Sequence, residues 1–99
     1  MIHVIAILTA KPGKRGELLT LFKAIIPTVL AEDGCIEYGP VVDVAGAEPA
    51  FGPDTYVVVE KWRDMPALKA HAAAPHMKAF GAQAGELIAA RAVHVMQAA

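Results

Sequence analysis

The sequence predicts a small α+β domain with strands and helices in the order β-α-β-β-α-β. Three observations lead to this prediction. Runs of β-branched apolar residues occur near both ends and in the middle of the chain, two segments repeat apolar residues at helical spacing, and glycine and proline separate these segments. Because the chain has 99 residues, we expect one domain, residues 1–99.

The first third of the chain predicts a strand and a helix. Residues 2–9 form an unbroken apolar run, which the turn signal Lys11-Pro12-Gly13 ends. Residues 14–33 then predict an amphipathic helix. Its apolar stripe consists of Leu18, Phe22, Ile25 and Val29. Because Pro27 lacks an amide donor, we expect a kink or an early end of this helix near Ile26.

The middle of the chain predicts two strands joined by a loop. Gly34 fits the C-cap of the helix, and residues 35–44, which include Tyr38, predict the second strand. Residues 45–54 contain two glycines and two prolines and predict a loop. The clearest strand pattern covers Thr55–Trp62.

The last third predicts a helix interrupted by proline and a final strand. Asp64 is a suitable N-cap, Pro66 fits the first helical turn, and the helix contains residues 68–71. Pro75 interrupts the helix and restarts it, and residues 92–97 predict the last strand. The apolar stripe of the restarted helix is Met77, Phe80, Ala84, Leu87 and Ile88. This order indicates a ferredoxin-like fold, an antiparallel sheet with both helices on one face.

The strands predict a sheet that is apolar on both faces. Side chains alternate between the faces, with Tyr56, Val58, Glu60 and Trp62 on one side and Thr55, Val57, Val59 and Lys61 on the other. Two helices cover only one face, and each large apolar side chain left in water costs about 1.5–3 kcal/mol relative to burial. We therefore expect a homodimer that pairs two sheets and has a pocket between each sheet and its helices.

The composition excludes several classes of function. The chain has no serine and no asparagine, which excludes a serine triad, and it has no glycine-rich phosphate loop. Cys35 is the only cysteine and fits a small core residue. A net charge of −1 with dispersed Lys and Arg does not indicate nucleic acid or a membrane as a partner. His3 and His94 lack a third ligand, so we expect no bound metal.

The N-terminal apolar run does not have the pattern of a targeting segment. No basic residue precedes it, and Lys11-Pro12-Gly13-Lys14 ends it far short of a membrane span. We therefore expect a cytoplasmic protein.

Residues 60–77 concentrate the reactive side chains of the chain. An imidazole is a suitable general base because its ordinary pKa, about 6.5, lies near neutral pH. We therefore predict His71 and His76 as candidate catalytic bases. The candidate substrate-binding residues are Trp62, Tyr38, Glu60, Phe80 and Met77.

Each candidate also has an interpretation without chemistry. His71 fits a core histidine bonded to Glu60 or to a backbone carbonyl, and His76 fits a subunit contact. Trp62 is a common type of packing residue. The possible cationic partners of Glu60 are Lys61, Arg63 and Arg91.

Several short motifs occur in a characteristic order. They are Lys11-Pro12-Gly13-Lys14, Glu32-Asp33-Gly34-Cys35-Ile36-Glu37-Tyr38, Glu60-Lys61-Trp62, Ala67-Leu68, His71, Pro75-His76-Met77 and Phe80. In order and spacing they resemble the antibiotic biosynthesis monooxygenase domain over almost the whole chain. The resemblance implies a dimeric α+β barrel and cofactor-independent oxygenation of hydroxylated aromatics or quinols.

The resemblance leaves two hypotheses. In the first, the chain is a monooxygenase for a hydroxylated aromatic or quinol-type molecule that binds in an apolar pocket. His71 or His76 then removes the hydroxyl proton of this molecule, because the resulting electron-rich anion reacts with oxygen more readily than the neutral molecule does. In the second, it is a non-enzymatic binding or stress-related dimer that sequesters a small apolar ligand. Heme-degrading relatives use an asparagine and a heme-ligating histidine, whereas this chain has no asparagine and has Gly81 at the histidine position. We therefore expect no heme degradation.

Residues 45–54 form a longer loop than is common, and Phe51 within it either covers the pocket or contacts the partner subunit.

Overall fold

A computed structural model describes all 99 residues as one four-stranded antiparallel sheet with three α-helices. In chain order the elements are β1 (Ile2–Ala10), α1 (Arg15–Leu30), β2 (Cys35–Val41), β3 (Thr55–Trp62), α2 (Met65–Ala73), α3 (Pro75–Ala84) and β4 (Ile88–Met96), with a 3₁₀ turn, Gly85–Leu87, before β4. The strand order β2-β3-β1-β4 confirms the predicted ferredoxin-like fold. None of the helices has the length and apolar character needed to cross a membrane.

Strand pairing fixes which side chains share the face covered by the helices. On β1, Val4 pairs with Glu60 of β3, and Leu8 pairs with Arg91 of β4. Tyr38 of β2 pairs with Glu60 from the other side. Because directly paired residues point to the same face, these five side chains all lie on the inner, helix-covered face of the sheet.

The predicted alternation of β3 side chains between the two faces of the sheet is confirmed, and β1 alternates in the same way. The buried inner-face side chains are Val4, Ala6, Leu8 and Ala10 of β1 and Tyr56, Val58, Glu60 and Trp62 of β3. Phe22 of α1 is the centre of the aromatic core, with its ring 5.5 Å from that of Tyr38, 5.3 Å from that of Tyr56 and 5.9 Å from that of Phe80. The aromatic contacts hold α1 and α3 against the sheet.

The first helix differs from the prediction at its C-terminus. An early end near Ile26 was wrong, because α1 continues through Pro27 to Leu30. Proline removes one hydrogen bond, but the last turn is held by the fully buried Val29 and by a bond of 3.2 Å from the Ala31 amide to the Pro27 carbonyl. Gly34 is not the C-cap, which is Ala31.

Several element boundaries also differ. The second strand ends at Val41 instead of Val44, and the helix stripe ends at Ala84, so that Leu87 lies in the 3₁₀ turn and Ile88 in β4. The last strand begins four residues before the predicted residue 92, because Ala10 at the end of β1 pairs with Ile88. Strand length here is set by the partner strand, which local sequence does not encode.

The cap and break predicted for the second helical region are confirmed. The Asp64 side chain accepts a hydrogen bond of 2.9 Å from the Ala67 amide at the start of α2. Pro75 begins α3 after a single extended residue, Ala74. This break separates His71 on α2 from His76 on α3.

Candidate active site

A cavity of about 290 Å³ lies between the inner face of the sheet and the helices. Its polar lining residues are Tyr38, Glu60, His71, Lys78 and Arg91. Its larger apolar lining residues are Leu8, Phe22, Val58, Leu68, Met77, Phe80, Ile88 and Val93. A mostly apolar cavity with a few polar groups is typical of a small-molecule site.

Glu32 joins the two candidate bases. Its Oε2 atom lies 2.8 Å from Nδ1 of His71 and 2.8 Å from Nε2 of His76. Because a carboxylate accepts hydrogen bonds and does not donate them, each imidazole donates its N–H to this oxygen. For His71 this leaves Nε2 as the acceptor nitrogen, on a side chain that lines the cavity. A carboxylate that fixes the tautomer of a histidine is a recurring arrangement for general bases.

The turn that carries Glu32 is tied to the start of α2. Gly34 has a φ of +85°, and a Cβ atom at this position would lie 2.6 Å from Cβ of Ala67. The Arg63 amide donates to the Gly34 carbonyl at 2.8 Å, and its guanidinium pairs with Asp33 at 3.1 Å. The close approach of this turn to α2 places the Glu32 carboxylate beside His71.

Aromatic rings hold the His71 ring in place. The Trp62 and His71 ring centroids are 4.6 Å apart with an interplanar angle of 36°, and the Tyr38 ring meets His71 edge-on at 5.4 Å. His71 itself is only 6% exposed. The imidazole is therefore fixed by packing on its faces and by a hydrogen bond at Nδ1.

Glu60 is a buried carboxyl group that lines the cavity, as His71 does. Its Oε1 accepts a hydrogen bond of 2.9 Å from Nε1 of Trp62. Burial raises the pKa of Glu60, the Trp62 hydrogen bond and His71 oppose this shift, and the charge of Glu32 adds to it. A carboxyl group with a raised pKa is suited to exchanging a proton with a bound hydroxyl group.

Two other ionisable groups near this end are poor bases or nucleophiles. Burial is the main cause that raises the pKa of the Cys35 thiol, to about 11. Burial also raises the pKa of Tyr38, and the charge of Glu60 adds to this shift. Both groups therefore keep their protons at neutral pH, so Tyr38 can donate a hydrogen bond to a ligand.

Glu32, His71 and His76 also form a donor set of the type that binds iron or zinc. Their three nearest ligand atoms lie within 4.8 Å of one another. Both histidine nitrogens, however, point to the same carboxylate oxygen at normal hydrogen-bond distance. Hydrogen bonding by itself therefore accounts for the arrangement.

The structure brings most of the predicted site residues together but gives some of them other partners. His71 contacts Glu32 and neither Glu60 nor a backbone carbonyl, and Glu60 contacts Trp62 and none of the three cations considered for it. Trp62 is fully buried, does not line the cavity and is therefore not placed to stack on a ligand. His76 contacts Glu32 but does not line the cavity.

Two further predictions concern residues outside the cavity. Phe51 is 58% exposed and lies in a shallow hollow with Val41 and Val42, so it does not cover the cavity. The second concerns His3 and His94: His3 lies on the central strand β1 and pairs with Met96, whereas His94 pairs with Ile5.

Sequence reasoning missed Glu32 as a functional residue. Glu32 was part of a motif that carries the family resemblance. The predicted helix over residues 14–33, however, placed Glu32 in its last turn, where a glutamate is not unusual. The actual helix ends at Leu30, so Glu32 lies in the following turn. The signal was the Glu-Asp-Gly sequence, which combines a carboxylate with a glycine that permits a tight turn.

The fold and the cavity together define a small α+β protein with a carboxylate-oriented histidine facing an apolar cavity. A model of the family described as antibiotic biosynthesis monooxygenase matches residues 1–83. The chain belongs to this family.

Individual relatives agree with this assignment. Probable quinol monooxygenase YgiN from Escherichia coli strain K12 is 42% identical over 84 residues, which cover 81% of each chain. The solved structure of Rv0793 from Mycobacterium tuberculosis has a TM-score of 0.82 and 32% identity and covers 99% of this chain and 94% of that chain. A conserved protein from Methanosarcina mazei Go1 has a TM-score of 0.83 and 27% identity, covering 97% and 90%.

Proposed function

We propose that this chain is a cofactor-independent monooxygenase that oxidises a hydroxylated aromatic or quinol-type molecule in its cavity. The observation that carries the proposal is the bond of 2.8 Å between Nδ1 of His71 and Glu32, which leaves Nε2 as the basic nitrogen of a side chain that lines the cavity. The name of the 42% identical relative, a probable quinol monooxygenase, supports the same class of substrate.

In the proposed reaction, His71 Nε2 removes the proton from a substrate hydroxyl group, and the resulting anion transfers an electron to O₂. The radical pair combines to form a C–O bond and, after protonation, a ring hydroperoxide. His71, neutral again after giving its proton to the peroxide, then removes the hydrogen of the ring carbon as a proton while the O–O bond breaks. The oxygen on the ring becomes a carbonyl, and the other leaves as hydroxide and takes this proton from His71 to form water. A dihydroxyarene plus O₂ thus gives a hydroxyquinone plus water.

Two further polar groups, Glu60 and Tyr38, bind and orient the substrate. Glu60 and Tyr38 are neighbours across the β2–β3 pair and both line the cavity, so they are placed to bond the reacting hydroxyl. Met77 and Phe80 contribute apolar walls that exclude water. A water-poor site strengthens the interaction between the anion and the protonated imidazole.

Oxygen consumption with a panel of anthrones and hydroquinones tests this proposal. His71→Gln should lower kcat by about 10²- to 10⁴-fold, the usual contribution of a general base. His76→Gln is the matched control, because both histidines bond to Glu32 but only His71 lines the cavity. With ¹⁸O₂, one labelled atom should enter the product.

Two results would count against the proposed activity. Saturable binding of the panel without oxygen consumption would instead favour a non-catalytic ligand-binding protein. Equal loss of activity in both histidine variants would mean that His71 has a structural role and is not the base.

We further propose that the chain forms a homodimer through the outer face of the sheet. Ile5, Ile7 and Val59 lie on this face and are only partly buried in the single chain. Ile7→Glu should therefore produce monomers in sedimentation at micromolar concentration. Leu30→Glu is the control, because Leu30 is equally apolar and 48% exposed but lies at the end of α1. A monomeric unmodified protein would overturn the dimer.

A further inference from the structure

Two cationic side chains that the proposed reaction does not use line the cavity. Arg91 of β4 and Lys78 of α3 both line the cavity and are exposed to solvent. Neither takes part in an ion pair, whereas Lys61 and Arg63 do. Two unpaired cations beside an apolar cavity are available to bind an anionic group of a ligand.

The strand register places Arg91 far from the reacting groups. Arg91 pairs with Leu8, and Glu60 pairs with Val4, four residues earlier on the same strand. Four residues span about 13 Å, and two strand spacings separate β3 from β4 by about 10 Å. The Cα atoms of Glu60 and Arg91 are therefore ~16 Å apart on the same face.

The side chains of Glu60 and Arg91 fill part of the distance between their Cα atoms, and a two-ring aromatic molecule is long enough to bridge the rest. Ala6, Val58 and Val93 form one cross-strand row between these two residues, and all three line the cavity. The middle of the cavity is therefore apolar. Beside Glu60 and Glu32 a permanently charged carboxylate of the ligand is disfavoured, whereas the phenolate of the reaction forms there together with a protonated His71. A carboxylate of the ligand therefore points away from Glu60.

We propose that the substrate is a hydroxyaromatic acid, whose hydroxyl group lies at Glu60 and His71 and whose carboxylate is bound by Arg91 and Lys78. This inference rests on the proposed function for its location but names a narrower class of substrate. The guanidinium of Arg91 can bind a carboxylate through two parallel hydrogen bonds, and Lys78 of α3 adds a second positive charge to the cavity lining.

Binding of two matched probes, 6-hydroxy-2-naphthoate and 2-naphthol, tests the inference in the absence of oxygen. They differ only in the carboxylate, and Trp62, the only tryptophan, provides a fluorescence signal next to His71. We expect the carboxylate probe to bind at least about 10-fold more tightly, a difference that falls as salt is added. Arg91→Gln should remove most of this preference, with little change for 2-naphthol.

Lys78→Gln should reduce the preference in part, and Lys69→Gln is the matched control. Lys69 lies on α2, is exposed and does not line the cavity. Equal affinities for the two probes, a preference that survives in the double variant of Arg91 and Lys78, or no binding of either probe would overturn the inference. Because binding is measured without turnover, these results are independent of whether neutral hydroquinones support oxygen consumption.

Discussion

Glu32 and His71 are 39 positions apart in the chain, yet Oε2 of Glu32 lies 2.8 Å from Nδ1 of His71. Neither residue is part of a regular motif for acid–base catalysis. The contact arises because the turn after α1 packs against α2 through Gly34 and Ala67. It gives the imidazole, which lines the cavity, one defined tautomer with Nε2 as the acceptor.

Loss of the Glu32 carboxylate should reduce catalysis without weakening ligand binding. We expect Glu32→Gln to lower kcat by about 10- to 100-fold, less than the loss of His71 itself, because the base remains but is poorly oriented. The dissociation constant of a hydroxyaromatic ligand should change little. Glu17→Gln, which removes an exposed carboxylate from the first turn of α1, is the control. A parallel loss of ligand binding and thermal stability would indicate a structural role for Glu32.

Burial of Glu60 should make stability depend on pH. Burial raises the pKa of Glu60 above its ordinary value of 4.5, so the native state binds this proton more tightly than the unfolded state does. The contribution of Glu60 to stability is therefore greatest below pH 4.5 and decreases as the pH rises through the folded-state pKa. Glu60→Gln cannot ionise, so its stability relative to the natural chain should increase between pH 4 and pH 7.

Urea unfolding at several pH values measures this difference. Trp62→Phe removes the indole N–H that favours the ionised form of Glu60. The loss of stability with rising pH should therefore be larger in this variant. A stability difference between the natural chain and Glu60→Gln that does not change with pH would contradict the prediction.

The turn at Gly34 should be intolerant of any side chain. Gly34→Ala places a Cβ atom at positive φ and in contact with Ala67. Gly13→Ala is the matched control, because Gly13 also has positive φ but no atom within 4 Å of the added Cβ. We expect Gly13→Ala to cost about 1–2 kcal/mol for the backbone conformation, and Gly34→Ala to cost about 1–3 kcal/mol more for overpacking. Equal free energies of unfolding for the two variants would show that the contact with Ala67 is easily relieved.

The histidine–carboxylate cluster should be free of metal in the active protein. Both imidazoles donate to one Glu32 oxygen, and a metal ion would have to replace both hydrogen bonds. Protein purified without an affinity tag should therefore contain no stoichiometric zinc or iron by elemental analysis, and chelator treatment should leave oxygen consumption unchanged. Stoichiometric metal that disappears in His71→Gln and His76→Gln would overturn this prediction.

The parts of the fold that follow local rules were predictable. The alternation of Tyr56, Val58, Glu60 and Trp62 has a period of two residues. The Asp64 cap depends only on a hydrogen bond to the amide three residues later in the chain. The start of β4 was not predictable, because it is set by pairing with Ala10 at the end of β1, a distant segment. The end of β2 was not predictable either, since β2 leaves the sheet at Val41 although its partner β3 extends two residues further, to Thr55. The last turn of α1 was also missed, because tertiary packing of Val29 outweighs the bond lost at Pro27.

The sequence by itself determined the order of elements, the faces of the strands and the two candidate bases, His71 and His76. Only the tertiary structure decided which carboxylate orients His71, because Glu32 reaches it through a turn whose position depends on Gly34, Ala67 and Arg63. The tertiary structure likewise buried Trp62 behind His71. A repeating pattern encodes which way a side chain points, whereas a contact between distant segments depends on how whole elements pack.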